Sequence, residues 1–132
     1  MIFAGAAHAQ CFNTSSYPFG GATAPTATTI TTQISTCSFQ AEYSQLNNVD
    51  AATIYQCAIA QGGYITITQG SPTGSVIASG NSPLQWNSTV AGTYYAHWTI
   101  DAACTQAFNC VTTSITYISP ASACTNPVLA GT

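Results

Sequence analysis

Tyr64-Ile65-Thr66-Ile67-Thr68, the turn Gly70-Ser71-Pro72-Thr73-Gly74, then Val76-Ile77-Ala78-Ser79-Gly80, Pro83-Leu84-Gln85-Trp86 and Gly92-Thr93-Tyr94-Tyr95-Ala96-His97-Trp98 follow one another within residues 64–98. β-Branched and aromatic residues alternate there with small or polar ones, and Gly/Pro turns separate the runs. That is the signature of antiparallel strands. Successive side chains of a strand point to opposite faces, so Tyr94, Ala96 and Trp98 share one face and Tyr95 and His97 the other. The first set reads as core, and Tyr95 and His97 read as the surface pair able to face a ligand.

The same reading extends outward. Strands are predicted at about Thr28–Cys37, Glu42–Val49, Thr53–Ala60, Tyr64–Gln69, Val76–Gly80, Leu84–Asn87, Gly92–Ile100 and Val111–Ile118, with turns such as Gln61-Gly62-Gly63 and Ser79-Gly80-Asn81-Ser82-Pro83 between them. Short strands at this spacing predict an all-β, antiparallel sandwich of jelly-roll-like type. Residues 11–25, rich in Ser, Thr, Gly and Pro, read as an irregular lead-in pinned by Cys11.

Charge is almost absent. The 132 residues contain no Lys or Arg, and Glu42, Asp50 and Asp101 give a net charge of -3. Without a fixed cation there is no phosphate clamp and no counterion release, so nucleic-acid binding loses its main driving force. A P-loop, an arginine finger and a Schiff-base lysine are excluded for the same reason. The polar half is built of hydroxyls and amides, with 21 Thr and 13 Ser. Charge is a usual means of keeping β-edges from pairing, so such a surface favours self-association.

Six cysteines, Cys11, Cys37, Cys57, Cys104, Cys110 and Cys124, predict a disulfide-stapled, extracellular domain. Zinc fits poorly, because the spacing contains neither a Cys-x-x-Cys nor a neighbouring His pair. Three bridges among six cysteines allow 15 connectivities. The expected set is Cys104–Cys110, which closes a short loop, with Cys11–Cys37 and Cys57–Cys124.

The start, Met1-Ile2-Phe3-Ala4-Gly5-Ala6-Ala7-His8-Ala9, has two readings. Ala7-x-Ala9 is a signal-peptidase pattern, which would start the mature chain at Gln10. Retained, residues 1–9 would form an apolar arm, led by Met1, Ile2 and Phe3, that packs on a neighbouring subunit. Residues 10–132 then form a single β-sandwich domain. No run approaches the roughly 20 apolar residues of a membrane-spanning helix.

Catalytic and metal chemistry is weakly represented. His97 has no Gly-x-Ser-x-Gly elbow or activated cysteine beside it, and His8 falls in the cleavage pattern. The three carboxylates lie on separate predicted segments and form no calcium loop. The expectation is a non-enzyme with no cofactor and no metal. Asn13-Thr14-Ser15 and Asn87-Ser88-Thr89 match the glycosylation sequon.

From Cys11-Phe12-Asn13-Thr14-Ser15-Ser16-Tyr17, through Ile34-Ser35-Thr36-Cys37, Glu42-Tyr43, Tyr64-Ile65-Thr66-Ile67, Gly80-Asn81-Ser82-Pro83-Leu84 and Gly92-Thr93-Tyr94-Tyr95-Ala96-His97, to Cys104 and Cys110, the chain resembles the small β-sandwich modules of secreted and cell-surface adhesins of Bacteroidota-type bacteria. More distantly it resembles the jelly-roll domains appended to secreted peptidases. The resemblance implies a noncatalytic extracellular module for adhesion, display or assembly. Two functions follow as expectations: a structural subunit that self-assembles into a surface filament, or an adhesion module that binds a glycan or a surface ligand.

Overall fold

The computed structural model describes residues 11–121. Ten strands are present among them: β1 (Ser15–Ser16), β2 (Ala22–Thr23), β3 (Thr31–Gln40), β4 (Glu42–Val49), β5 (Thr53–Ile59), β6 (Tyr64–Gln69), β7 (Ser75–Asn81), β8 (Leu84–Ser88), β9 (Gly92–Thr99) and β10 (Ala107–Pro120). They form two sheets packed face to face. One runs β1-β4-β9-β6-β7, with β2 also on β4, and the other runs β3-β10-β5-β8. The disulfide-stapled all-β sandwich expected from the sequence is therefore the fold.

Alternation builds the core. Tyr94, Ala96 and Trp98 of β9 are buried with Leu46, Ile65 and Ile67 of the same sheet, against Tyr55, Cys57, Ile59, Trp86, Val111 and Ile115 of the other. Burying these aromatic and aliphatic side chains supplies the apolar driving force of the domain. Their polar atoms are satisfied: Trp98 Nε1 donates to Ser44 Oγ at 2.9 Å and Tyr94 Oη to the Val90 carbonyl at 2.7 Å.

Strand limits differ from expectation where the backbone turns. Thr29 takes a left-handed conformation (φ 69°) and Ile30 N–H donates to the Ala27 carbonyl, so β3 starts at Thr31 and not at Thr28. It then runs on to Gln40, because the single residue Ala41 carries the chain into the other sheet. The last strand starts at Ala107, four residues early, since three register shifts against β3 absorb its irregular first half. The lead-in is also more ordered than its composition implies. Its two-residue pieces β1 and β2 pair in parallel with β4, Ser15 beside Glu42 and Ala22 beside Leu46.

The disulfide pairing is a correction. The structure joins Cys11 to Cys104 and Cys37 to Cys110, replacing the expected Cys104–Cys110 and Cys11–Cys37. Short-loop closure favours a local pair only when no other force brings cysteines together. Here β3 and β10 pair along their length and bring Cys37 beside Cys110. Cys104, in a left-handed turn after β9 (φ 66°), meets Cys11 of the lead-in. Cys57 is buried and has no disulfide partner among the described residues. Its expected partner Cys124 lies outside the described residues, as do Met1, Ile2, Phe3 and His8.

Candidate functional site

Two of the three carboxylates, Asp101 and Glu42, are tied to local backbone. Asp101 accepts from the Ala103 and Thr105 N–H groups at 3.1 and 3.2 Å, and from the Thr105 hydroxyl at 3.1 Å. These bonds to Thr105, its hydroxyl foremost, hold the carboxyl below its usual range. Asp50 lies in the turn between β4 and β5, where its N–H donates to Tyr55 Oη at 2.8 Å. Glu42 sits at the start of β4 and accepts the Phe39 N–H at 2.9 Å. Among the described residues no three metal-ligating side chains cluster, and no pocket is present. Among the described residues no helix is long and apolar enough to cross a membrane.

His97 is where exposure was expected and burial is found. It does lie on the outer face of its sheet, opposite Tyr43 and Thr66, yet it is 0% exposed. Phe12 of the lead-in covers the ring at 5.7 Å between centroids, and Tyr43 flanks it at 5.4 Å. The Asn13 N–H donates to Nδ1 at 2.9 Å. An accepting Nδ1 places the proton of the neutral ring on Nε2, which faces the Pro72 carbonyl and Thr68 Oγ1. Burial pushes the imidazole pKa down to about 4, against a smaller opposing effect of the Pro72 carbonyl.

Asn13 completes this latch. Its Nδ2 donates to the Glu42 and Trp98 carbonyls at 2.8 and 2.9 Å, and Gln106 Nε2 donates to its Oδ1 at 3.1 Å. The side chain is buried, so the first sequon is sequestered, whereas Asn87 of the second is exposed. The sequence marks Asn13 only as a sequon; its bonding role is not legible there, since its partners come from residues 29 to 93 positions away.

Tyr95 keeps part of its ring at the surface. It packs edge-on against Tyr43, with centroids 5.7 Å apart and an interplanar angle of 76°. Perpendicular rings do not make the flat platform on which successive sugar rings stack. The neighbouring amides are also committed, Gln45 to Asn47 at 2.7 Å and Asn47 to the Gly20 carbonyl at 2.8 Å.

The two lateral sides of the sandwich are treated differently. On one side β4 is covered by the short pieces β1 and β2, with Tyr17 and Ala24 N–H donating to the Tyr43 and Asn47 carbonyls. The β3 edge beside them is capped by side chains: Ser35 Oγ accepts the Cys37 N–H and Glu42 Oε1 the Phe39 N–H, both at 2.9 Å. Short strands, irregular register and a charge are the usual guards of an exposed edge. On the opposite side β7 and β8 end their sheets, and neither carries a charge. The chain passes from one to the other through Ser82 and Pro83. No family model, no curated protein and no solved structure matches this chain.

Proposed function

We propose that this chain is a noncatalytic, secreted structural subunit that assembles with copies of itself into a cell-surface filament. The observation that carries this reading is the asymmetry of the sandwich, guarded by strand pieces and side-chain caps along β3 and β4 and bare along β7 and β8. Two disulfides in a small all-β domain fit an oxidising, extracellular setting. The near absence of charge leaves little repulsion between copies. Among the described residues seven large apolar side chains are exposed, with Phe19 at 98% and Phe108 at 69%, and contact between copies would cover such groups.

Adhesion to a glycan is the second reading. It rests on the partly exposed Tyr95 and Tyr43 with Phe12 beside His97. The perpendicular rings and committed amides make it the weaker one.

Sedimentation velocity and negative-stain microscopy of the secreted, oxidised chain test the proposal. Concentration-dependent growth into filaments without added ligand is the expected result. A chain that stays monomeric at high concentration would leave the adhesion reading alone.

A further inference from the structure

We infer that the bare edge of β7 pairs antiparallel with β7 of a second copy, about a two-fold axis at Gly80. The inference rests on the self-assembly reading above and adds the surface, the partner segment and the register.

The phase of the β6–β7 ladder identifies the outward groups. Ser82 N–H donates to the Gly63 carbonyl at 2.8 Å, and the register continues as Tyr64 with Asn81, Ile65 with Gly80, Thr66 with Ser79 and Ile67 with Ala78. Antiparallel pairs alternate between hydrogen-bonded and non-hydrogen-bonded. Gly63–Ser82, Ile65–Gly80 and Ile67–Ala78 are therefore the bonded pairs. The N–H and C=O groups of Ser79 and Asn81 point away from β6, where no strand among the described residues pairs with them.

These two residues are self-complementary. With Gly80 opposite Gly80 of the second copy, Ser79 faces the second copy's Asn81 and Asn81 faces the second copy's Ser79. Each of these pairs exchanges both backbone hydrogen bonds, and the axis falls on a non-bonded pair, where Cα atoms come closest, about 4.5 Å. Glycine fits that point because it brings no side chain into the approach. Register is confined on both flanks. The β6–β7 register shifts between Ala78 and Val76, and Pro83 has no N–H to donate.

A second copy's β7 is the occupant in preference to the guarded edge among the described residues, β3. Head-to-tail pairing of β7 with β3 is opposed, since Ser35 and Glu42 already occupy N–H groups of β3. An isologous pair needs only β7, which carries no charge to repel its copy. Such a pair closes on itself, so a filament of these pairs elongates through another face.

The test uses the full oxidised chain and sedimentation velocity over a concentration series. Ser79→Pro removes an N–H that β6 does not use, and Ser79→Lys places a charge on the edge. Thr36→Lys on the guarded β3 is the control. Circular dichroism and protection of the Cys57 thiol report folding of each variant. At least tenfold weaker self-association of both Ser79 variants, with Thr36→Lys unchanged, is expected. Folded Ser79 variants that associate like the parent chain overturn the inference while leaving self-assembly intact. Loss of association on deleting residues 1–9 alone also overturns it, by making the arm the occupant. A parent chain that stays monomeric throughout removes the self-assembly reading itself.

Discussion

The Phe39 N–H donates to Glu42 Oε1 at 2.9 Å, so one of the three carboxylates in the chain caps the outer edge of β3. The single residue between the two strands, Ala41, makes the contact local. A carboxylate that accepts a backbone N–H at a sheet edge satisfies the donor and brings a charge where a foreign strand would dock.

Replacing Glu42 tests that guard. Glu42→Ala should cost about 1.5 to 3 kcal/mol, the usual loss for a hydrogen bond to a charged group, and should add a second mode of self-association through β3. Glu42→Gln keeps the acceptor and should lose less. Chemical denaturation and sedimentation of the two variants decide it; equal stability of Glu42→Ala and parent would remove the assigned role.

Stability should fall on acidification because of His97. Its folded pKa of about 4 lies below the ordinary 6.5, so the unfolded chain takes up the proton first. The stabilisation is whole above pH 6.5 and is lost as the pH falls toward 4. The full loss is on the order of 3 kcal/mol. A proton added at Nδ1 also ends its bond with the Asn13 N–H, so the lead-in should loosen while Cys11–Cys104 tethers it. Thermal melts from pH 7.5 to 4 should slope accordingly, and His97→Gln should flatten that slope. An identical slope in the variant would assign the effect to the carboxylates.

Cys57 should be chemically silent in the folded chain. Burial pushes its thiol up to about 12, and Trp86 Nε1 donates to its sulfur at 3.4 Å. Only the thiolate reacts. Iodoacetamide should leave it untouched in native buffer and label it fully in denaturant without reductant. Failure to label in denaturant would place Cys57 in a disulfide.

Nonreduced peptide mapping should return Cys11 with Cys104 and Cys37 with Cys110. Trypsin has no site in a chain without Lys or Arg, so a protease that cuts after aromatic residues is required. The Cys11–Cys104 bridge spans 93 residues, and closing a loop of that size is worth about 4 to 5 kcal/mol. Cleavage at Tyr94 and Trp98 should be slow in the oxidised chain and fast after reduction. Fast cleavage in the oxidised chain would contradict their burial.

Much of the fold was legible in the sequence because the period-two pattern is local. Glu42–Val49 and Tyr64–Gln69 were read to the residue. The burial of Tyr94, Ala96 and Trp98 followed from alternation. The site was far less legible. His97 falls on the face that alternation assigns, but what covers that face comes from Phe12 and Asn13, more than 80 residues earlier.

Composition and local pattern by themselves determined that this chain is all-β, stapled and nearly uncharged, because strand periodicity, cysteine content and missing cations are properties of residues and their neighbours. Tertiary structure alone decided which cysteines meet, that His97 is buried, and which edges are guarded. Cys37 meets Cys110 because β3 pairs with β10, and Ser79 points outward because β7 has a neighbour on only one side. A strand carries the same alternation at the centre of a sheet as at its rim; only the order of strands determines whether its second row of hydrogen-bonding groups is satisfied.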